Sequence, residues 1–307
     1  PVSSIAFGAG GAELIWAACR AFLGADHGLM ILGPTFSEPA ECARAMGAPH
    51  FSLDAGAPEA GSAPGACPWT VETIRSAVEQ CPFPLGLVYI CSPNNPTGTT
   101  VSPRLVKEIA AAVAPARVFY DRSFETVRKG IGGAVSVRAS QGVANFFHVG
   151  AAEGVLELRS FTKDFSVPGL RLGALFGVGE DIGRCLEQMP PWSVSSMAAA
   201  AALALLEPAS LSYLATSREH WWSDAEELWA ALAARGFKPA PSAVPFALVR
   251  VGDGAAFRRE LLRHRIHVRD CASFGLPEYV RLCARGLDAH GRLMEAMDAI
   301  GSRGCTT

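Results

Sequence analysis

The sequence predicts an α/β protein: a large domain on a mostly parallel sheet, then a small C-terminal α+β domain. Three observations predict it. Short apolar runs recur along the chain and end in polar or glycine-rich turns. Patterns of helical period lie between those runs. Near residue 208 the order changes, and in the last third of the chain strands and helices are grouped. Strands that alternate with helices imply parallel pairing, with both faces of the sheet covered.

The elements follow in order. Residues 12–23 carry apolar side chains at helical spacing after a glycine-rich turn, and 39–46, 71–80 and 103–113 repeat the pattern. Runs at 29–32, 87–91, 117–120, 155–159 and 172–177 read as buried strands. Residues 126–154 are glycine-rich and irregular, a loop-rich excursion. The alanine-rich run 197–206 is too short to cross a bilayer and reads as a buried helix after Pro190-Pro191-Trp192. Residues 211–235 form one long helical pattern containing Trp221, Trp222 and Trp229. A strand (243–251), a helix (255–264), two strands (266–270 and 279–283) and a closing helix (290–300) complete the chain. The boundary falls beside the long helix, giving domains 1–215 and 216–307.

Half of the 307 residues are hydrophobic and the net charge is −2, which gives no electrostatic basis for binding nucleic acid or a membrane surface. Nine cysteines without a C-x-x-C pair argue against a zinc site or a disulfide framework, and no metal is expected. With no signal peptide visible, a reducing cytoplasm is expected. The sequence begins at Pro1 without an initiator methionine, which leaves open whether a segment lies in front of it.

The chemistry concentrates in Ser160-Phe161-Thr162-Lys163, with Arg171 eight residues after the lysine. A lysine that forms an imine must be neutral part of the time, which calls for a partly desolvated, electropositive site. Ser160 and Arg171 suit a phosphate monoester, and lysine imine plus phosphate suggests pyridoxal 5'-phosphate (PLP). Gly8-Ala9-Gly10-Gly11-Ala12-Glu13 places glycines at a helix start, where backbone N–H groups reach an anion. Phe36 in Pro34-Thr35-Phe36 could stack on a planar ring or fill the core. Ser92-Pro93-Asn94-Asn95-Pro96-Thr97-Gly98 is a rigid turn that presents Asn95 as a donor. Asp121 ends an apolar strand and wants a cation, which a pyridinium nitrogen supplies; a helix cap or a salt bridge would also explain it. Arg269 and Arg281 suit carboxylate or phosphate ends of a substrate, against the alternative of surface arginines.

Taken in order, these strings resemble the class I/II aminotransferases, PLP enzymes of fold type I, and most closely the branch of threonine-phosphate decarboxylase and histidinol-phosphate aminotransferase. The resemblance spans nearly the whole chain. It implies Lys163 as the Schiff-base lysine and Asp121 as the partner of the pyridinium nitrogen. Asn95 would donate to the ring's phenolic oxygen and Phe36 would stack on the ring. Gly11, Ala12, Ser160 and Arg171 would hold the phosphate, and Arg281, with Arg269 beside it, would hold the substrate. It further implies an amino acid or phosphorylated amino acid as substrate and a homodimer. Phe124 and the run Arg269-Asp270-Cys271 lean toward the decarboxylase, since most aminotransferases carry a tyrosine donor at the Phe124 position. β-Elimination and oxidative deamination use the same apparatus. Arg122 departs from the pattern, standing where a glutamate is usual. The family also has an arm before the glycine turn, ahead of where this sequence begins. A different class of function is a PLP-binding regulator behind a DNA-binding helix-turn-helix, which the charge of this chain does not support.

Overall fold

The computed structural model describes residues 2–129 and 152–304. The chain opens with β1 (Ile5–Gly8), α1 (Gly11–Phe22), β2 (Gly28–Gly33), α2 (Glu38–Ala45) and β3 (His50–Asp54). It continues with α3 (Val71–Glu79), β4 (Leu85–Cys91), α4 (Pro103–Val113), β5 (Arg117–Asp121) and β6 (Val155–Ser160). A one-turn helix α5 (Phe161–Asp164) precedes β7 (Gly173–Phe176), α6 (Gly179–Leu186), α7 (Ser196–Leu205) and α8 (Pro208–Ala233). The last elements are β8 (Phe246–Arg250), α9 (Gly254–Arg263), β9 (Arg269–Asp270), β10 (Tyr279–Cys283) and α10 (Leu287–Gly304).

Seven strands form one sheet in the order β1-β7-β6-β5-β4-β2-β3. Strands β6, β5, β4, β2 and β3 pair in parallel, while β7 is antiparallel to both β6 and β1. The expected mostly parallel α/β sheet is therefore present. Its two faces are covered by different helices. Along β4, Leu87, Tyr89 and Cys91 join the cluster built on α1, α2 and α6, whereas Val88 and Ile90 join the one built on α3 and α4. This alternation is the period-two signature of a strand buried on both sides. Leu14 of α1 and Ile109 of α4 are fully buried, each worth roughly 2 kcal/mol of hydrophobic stabilisation. Helix starts are capped locally: Ser102 accepts from the Leu105 N–H at 3.1 Å with Pro103 at the first helical position, and Asp253 accepts from Ala256 at 2.8 Å.

A second, antiparallel sheet has the order β8-β10-β9. Val249, Val280 and Leu282 on one of its faces pack with Leu228 and Leu232 of α8, Leu261 of α9 and Met294 of α10. The expected strand at 266–270 shrinks to Arg269–Asp270, because only these two residues pair with β10. The expected helix 211–235 is α8, and 290–300 lies within α10. Residues 130–151 of the expected loop-rich excursion lie outside the described residues.

One expectation is overturned. The run at 197–206 is helical but not buried: only Ala198 of α7 is buried, while Met197 is 74% and Leu203 75% exposed. Its alanine-rich sequence has no polar stripe to mark which side faces solvent. Among the described residues no single helix is long and apolar enough to cross a membrane, and α7 and α8 meet at a 75° bend.

Candidate active site

The parallel strands end on one edge of the large sheet, the edge where ligands gather in such sheets. Phe36 follows β2, Asn95 follows β4, Asp121 ends β5, Ser160 ends β6, and Lys163 sits in α5 directly after it. Gly11 and Ala12 open α1, and Arg171 precedes β7. Gly11, Ala12, Phe36, Asn95, Asp121, Ser160, Lys163 and Arg171 line a single cavity of about 160 Å³. Ile15, Cys91, Ser123, Leu158 and Thr162 line it too, and sequence reasoning did not single them out.

One end of the cavity is built for an anion. Gly10 has φ 85°, and a Cβ there would stand 2.7 Å from Nη2 of Arg171. A side chain at Gly10 would be strained by that φ and would push the guanidinium end away from the start of α1. The first N–H groups of that helix have no helical acceptor, and its dipole favours negative charge. Glu13 is used in holding the turn, accepting from the Ala9 N–H at 2.6 Å.

Asp121 is buried and accepts from Tyr89 Oη at 2.7 Å and from the Ser123 N–H at 2.9 Å. Burial pushes its carboxyl up, against the pull of Ser123, Tyr89 and the Lys163 charge. No ion pair holds Asp121 among the described residues. A buried carboxylate supported only by neutral donors leaves room for one cation, and a protonated pyridine nitrogen fits it. Tyr89 was missed because a tyrosine inside an apolar strand run looks like core.

The two asparagines of the 92–98 turn have separate tasks. Asn94 is committed to structure. It accepts from Thr35 at 2.6 Å and donates to Pro34 O and to Thr97, both at 2.8 Å, so it fixes the turn that carries Phe36. Asn95 accepts through Oδ1 from Nη1 of Arg281. Arginine has only donors, so this contact fixes the amide orientation and leaves Nδ2 for a ligand.

Burial, followed by the nearby Arg281 and Arg171 charges, lowers the Lys163 pKa, and Asp121 opposes them. The amine stands 5.7 Å from the centre of the Phe124 ring, which packs edge-on against Phe246 at 5.2 Å. Lys163 also borders an open cleft of about 700 Å³ shared with His220, Asp224 and Arg285. Arg281 meets the site through Asn95, whereas Arg269 does not line the cavity that holds Lys163. Arg269 lies opposite Arg281 across β9 and β10, bonds to Ser273 at 2.6 Å, and lines a groove of about 440 Å³. That groove is also lined by Arg265, Arg281, Arg285, Arg292, His267 and His290, with no acidic side chain.

Asp164, next to the lysine, is buried, and burial pushes its carboxyl up to about 6. Because this lies above the unfolded value, the native state holds the proton more tightly, and stability falls as pH rises from about 4 through about 6. Asp164→Asn removes this titration. Between pH 4 and 7 its stability should rise relative to wild type by up to roughly 3 kcal/mol. Urea unfolding of both proteins at the two pH values checks this, and parallel curves would count against it.

The aminotransferase class I and II family model matches residues 1–300. The chain is 31% identical over 236 residues to histidinol-phosphate aminotransferase 1 of Thiobacillus denitrificans, covering 74% of this chain and 57% of that protein. It spans 51–57% of the length of the first three curated relatives it matches. The fold matches L-threonine-O-3-phosphate decarboxylase from Porphyromonas gingivalis at TM-score 0.76 and 18% identity, over 98% of this chain and 84% of that one. It matches histidinol-phosphate aminotransferase from Clostridium acetobutylicum at TM-score 0.77 and 18% identity, with the same coverage of 98% and 84%.

Proposed function

The chain belongs to the class I and II aminotransferases, a family of PLP enzymes, and on that premise we propose that it acts at Cα of an amino acid bearing a second anionic group, decarboxylating a substrate like threonine-O-3-phosphate. The observation that carries this reading is the convergence of eight residues from separate segments on one cavity. When bound, PLP supplies a carbonyl carbon and a cationic ring that takes up electron density from Cα.

The chain's own groups divide the work. Lys163, whose amine is made easier to deprotonate, would hold PLP through its carbonyl carbon and, once released from it, would move a proton at Cα of the substrate. Asp121 would keep a proton on the ring nitrogen. Asn95 Nδ2 would donate to the phenolic oxygen, and Phe36 would lie against the ring. The Gly11 and Ala12 N–H groups, Ser160 and Arg171 would hold the phosphate. Arg281, with Arg269 beside it, anchors the anionic ends of the substrate, and the surrounding arginine-lined groove supports an anionic substrate. These anchors, rather than the cofactor residues, decide which bond at Cα is presented for cleavage.

Phe124 beside Lys163 and the Arg269-Asp270-Cys271 run support decarboxylation. The names of the curated relatives favour transamination of the histidinol-phosphate type as the second reading. A cytoplasmic homodimer and a division into 1–215 and 216–307 are parts of the same proposal. The exposed Trp192, Met197, Leu203 and Tyr213 support pairing with a second copy.

The test is incubation of the PLP-loaded chain with O-phospho-L-threonine, O-phospho-L-serine and common amino acids. CO2 release is followed separately from conversion of the cofactor to its amine form. CO2 from a phosphorylated substrate without the amine form is expected. The amine form without CO2 selects transamination, and a chain that takes up no PLP removes both readings.

A further inference from the structure

Arg122 follows Asp121 and takes no part in the cofactor cavity, yet it is largely buried. Its Nη1 donates to Glu157 Oε1 at 2.6 Å, its Nη2 lies 3.2 Å from Glu125 Oε1, and its guanidinium lies 5.6 Å from the Tyr120 ring centre. Its backbone N–H bonds to Leu158 O at 3.0 Å, continuing the join between β5 and β6. Burial works against the Arg122 charge, and Glu157 and Glu125 outweigh it.

The same cluster reaches the lysine. Thr126, next to Glu125, donates to Asp164 Oδ1, and Asp164 is the neighbour of Lys163. Asp164 also feels the Arg159 charge. On β6, Leu158 and Ser160 line the cavity, so Glu157 and Arg159 project from the opposite face. A line of charges thus passes behind the sheet from the neighbour of Asp121 to the neighbour of Lys163.

We propose that Arg122 is a positioning residue which, through Glu157 and through Glu125, Thr126 and Asp164, fixes the placement of Asp121 relative to Lys163. This rests on the PLP reading above, in which those two residues hold the ring nitrogen and the carbonyl carbon. A brace is useful there because the two groups sit at the ends of different strands, with residues 122–162 between them in sequence. A misplacement of about 1 Å in such a site costs on the order of 10²-fold. An arginine suits the task because its planar fork bonds two carboxylates at once, which a lysine does less well.

The experiment compares wild type, Arg122→Met, Arg122→Lys, Glu157→Gln and Arg122→Met/Glu157→Gln as full chains. It measures the melting temperature without PLP, the PLP dissociation constant by absorbance titration, and the pH at which borohydride fixes half of the PLP to Lys163. Arg122→Met and Glu157→Gln should each weaken PLP binding about 10-fold or more and shift that pH. Arg122→Lys should recover part of the loss, and the double variant should bind better than the product of the single effects. If the apoprotein melting temperature falls while PLP binding stays within about twofold of wild type and the pH midpoint does not move, Arg122 is structural only and the proposal is wrong. Should Arg122→Met not fold, Glu157→Gln carries the same comparison alone. Wild type that binds no PLP overturns the functional reading and this inference together, whereas wild type that binds and variants that match it overturn this inference alone.

Discussion

Replacing Lys163 with alanine is expected to abolish turnover and leave the fold intact. The side chain makes no hydrogen bond or ion pair among the described residues, and its amine stands 5.7 Å from the centre of the Phe124 ring. Truncation therefore removes an amine whose charge is disfavoured by burial and by Arg281, and stability should change by no more than about 0.5 kcal/mol. Loss of the acid–base role alone costs on the order of 10²–10⁴-fold in rate, and loss of the attachment point adds to it. Steady-state kinetics, an absorbance spectrum with PLP, and peptide mapping after borohydride reduction test this together. Retention of more than about a tenth of the activity, or label on another lysine, would sink the assignment.

Asp121→Asn should separate cofactor binding from stability in opposite directions. In the protein without PLP the carboxylate is buried with neutral donors only, and burial raises its pKa. The raised value means that wild type gives up stability as pH rises through it, so at neutral pH the asparagine variant should be at least as stable. With PLP bound as proposed, the same change would remove one member of a buried ion pair. That would cost about 3–5 kcal/mol, or roughly 10²–10⁴-fold in affinity, with a comparable loss of rate. Thermal melting without PLP and a PLP titration check both halves. A lower melting temperature with unchanged PLP affinity would make Asp121 a structural residue.

The sequence was most legible where one element carries its own signal. The buried runs of β2, β4, β5 and β6 and the residues at their carboxyl ends could be read directly, because apolar strand followed by turn is a local pattern. Strand β1 has only four residues, and β3 lies at the sheet edge with most of its residues partly exposed, so neither gives a clear run. Helix α7 misled because composition reports apolarity, not which side of an apolar helix is covered. Within the site, what stayed hidden was long-range pairing. Tyr89 holding Asp121, Arg281 orienting Asn95, and Glu157 pairing with Arg122 all join residues far apart in sequence.

The approach of Arg171 to Gly10 has a consequence for how the protein behaves under stress. These residues are 161 positions apart by number, and the phosphate proposed to lie between them meets its ligands only when the sheet is complete. PLP should then bind the folded chain and not the unfolded one. Mass action makes such a ligand a stabiliser: a hundredfold excess over its dissociation constant adds about 2.7 kcal/mol. Supply of PLP in the cell would thus set how much of this protein persists, as well as how much of it is active. A defect in any residue that grips the cofactor would be felt as lower abundance even where the apoprotein folds normally.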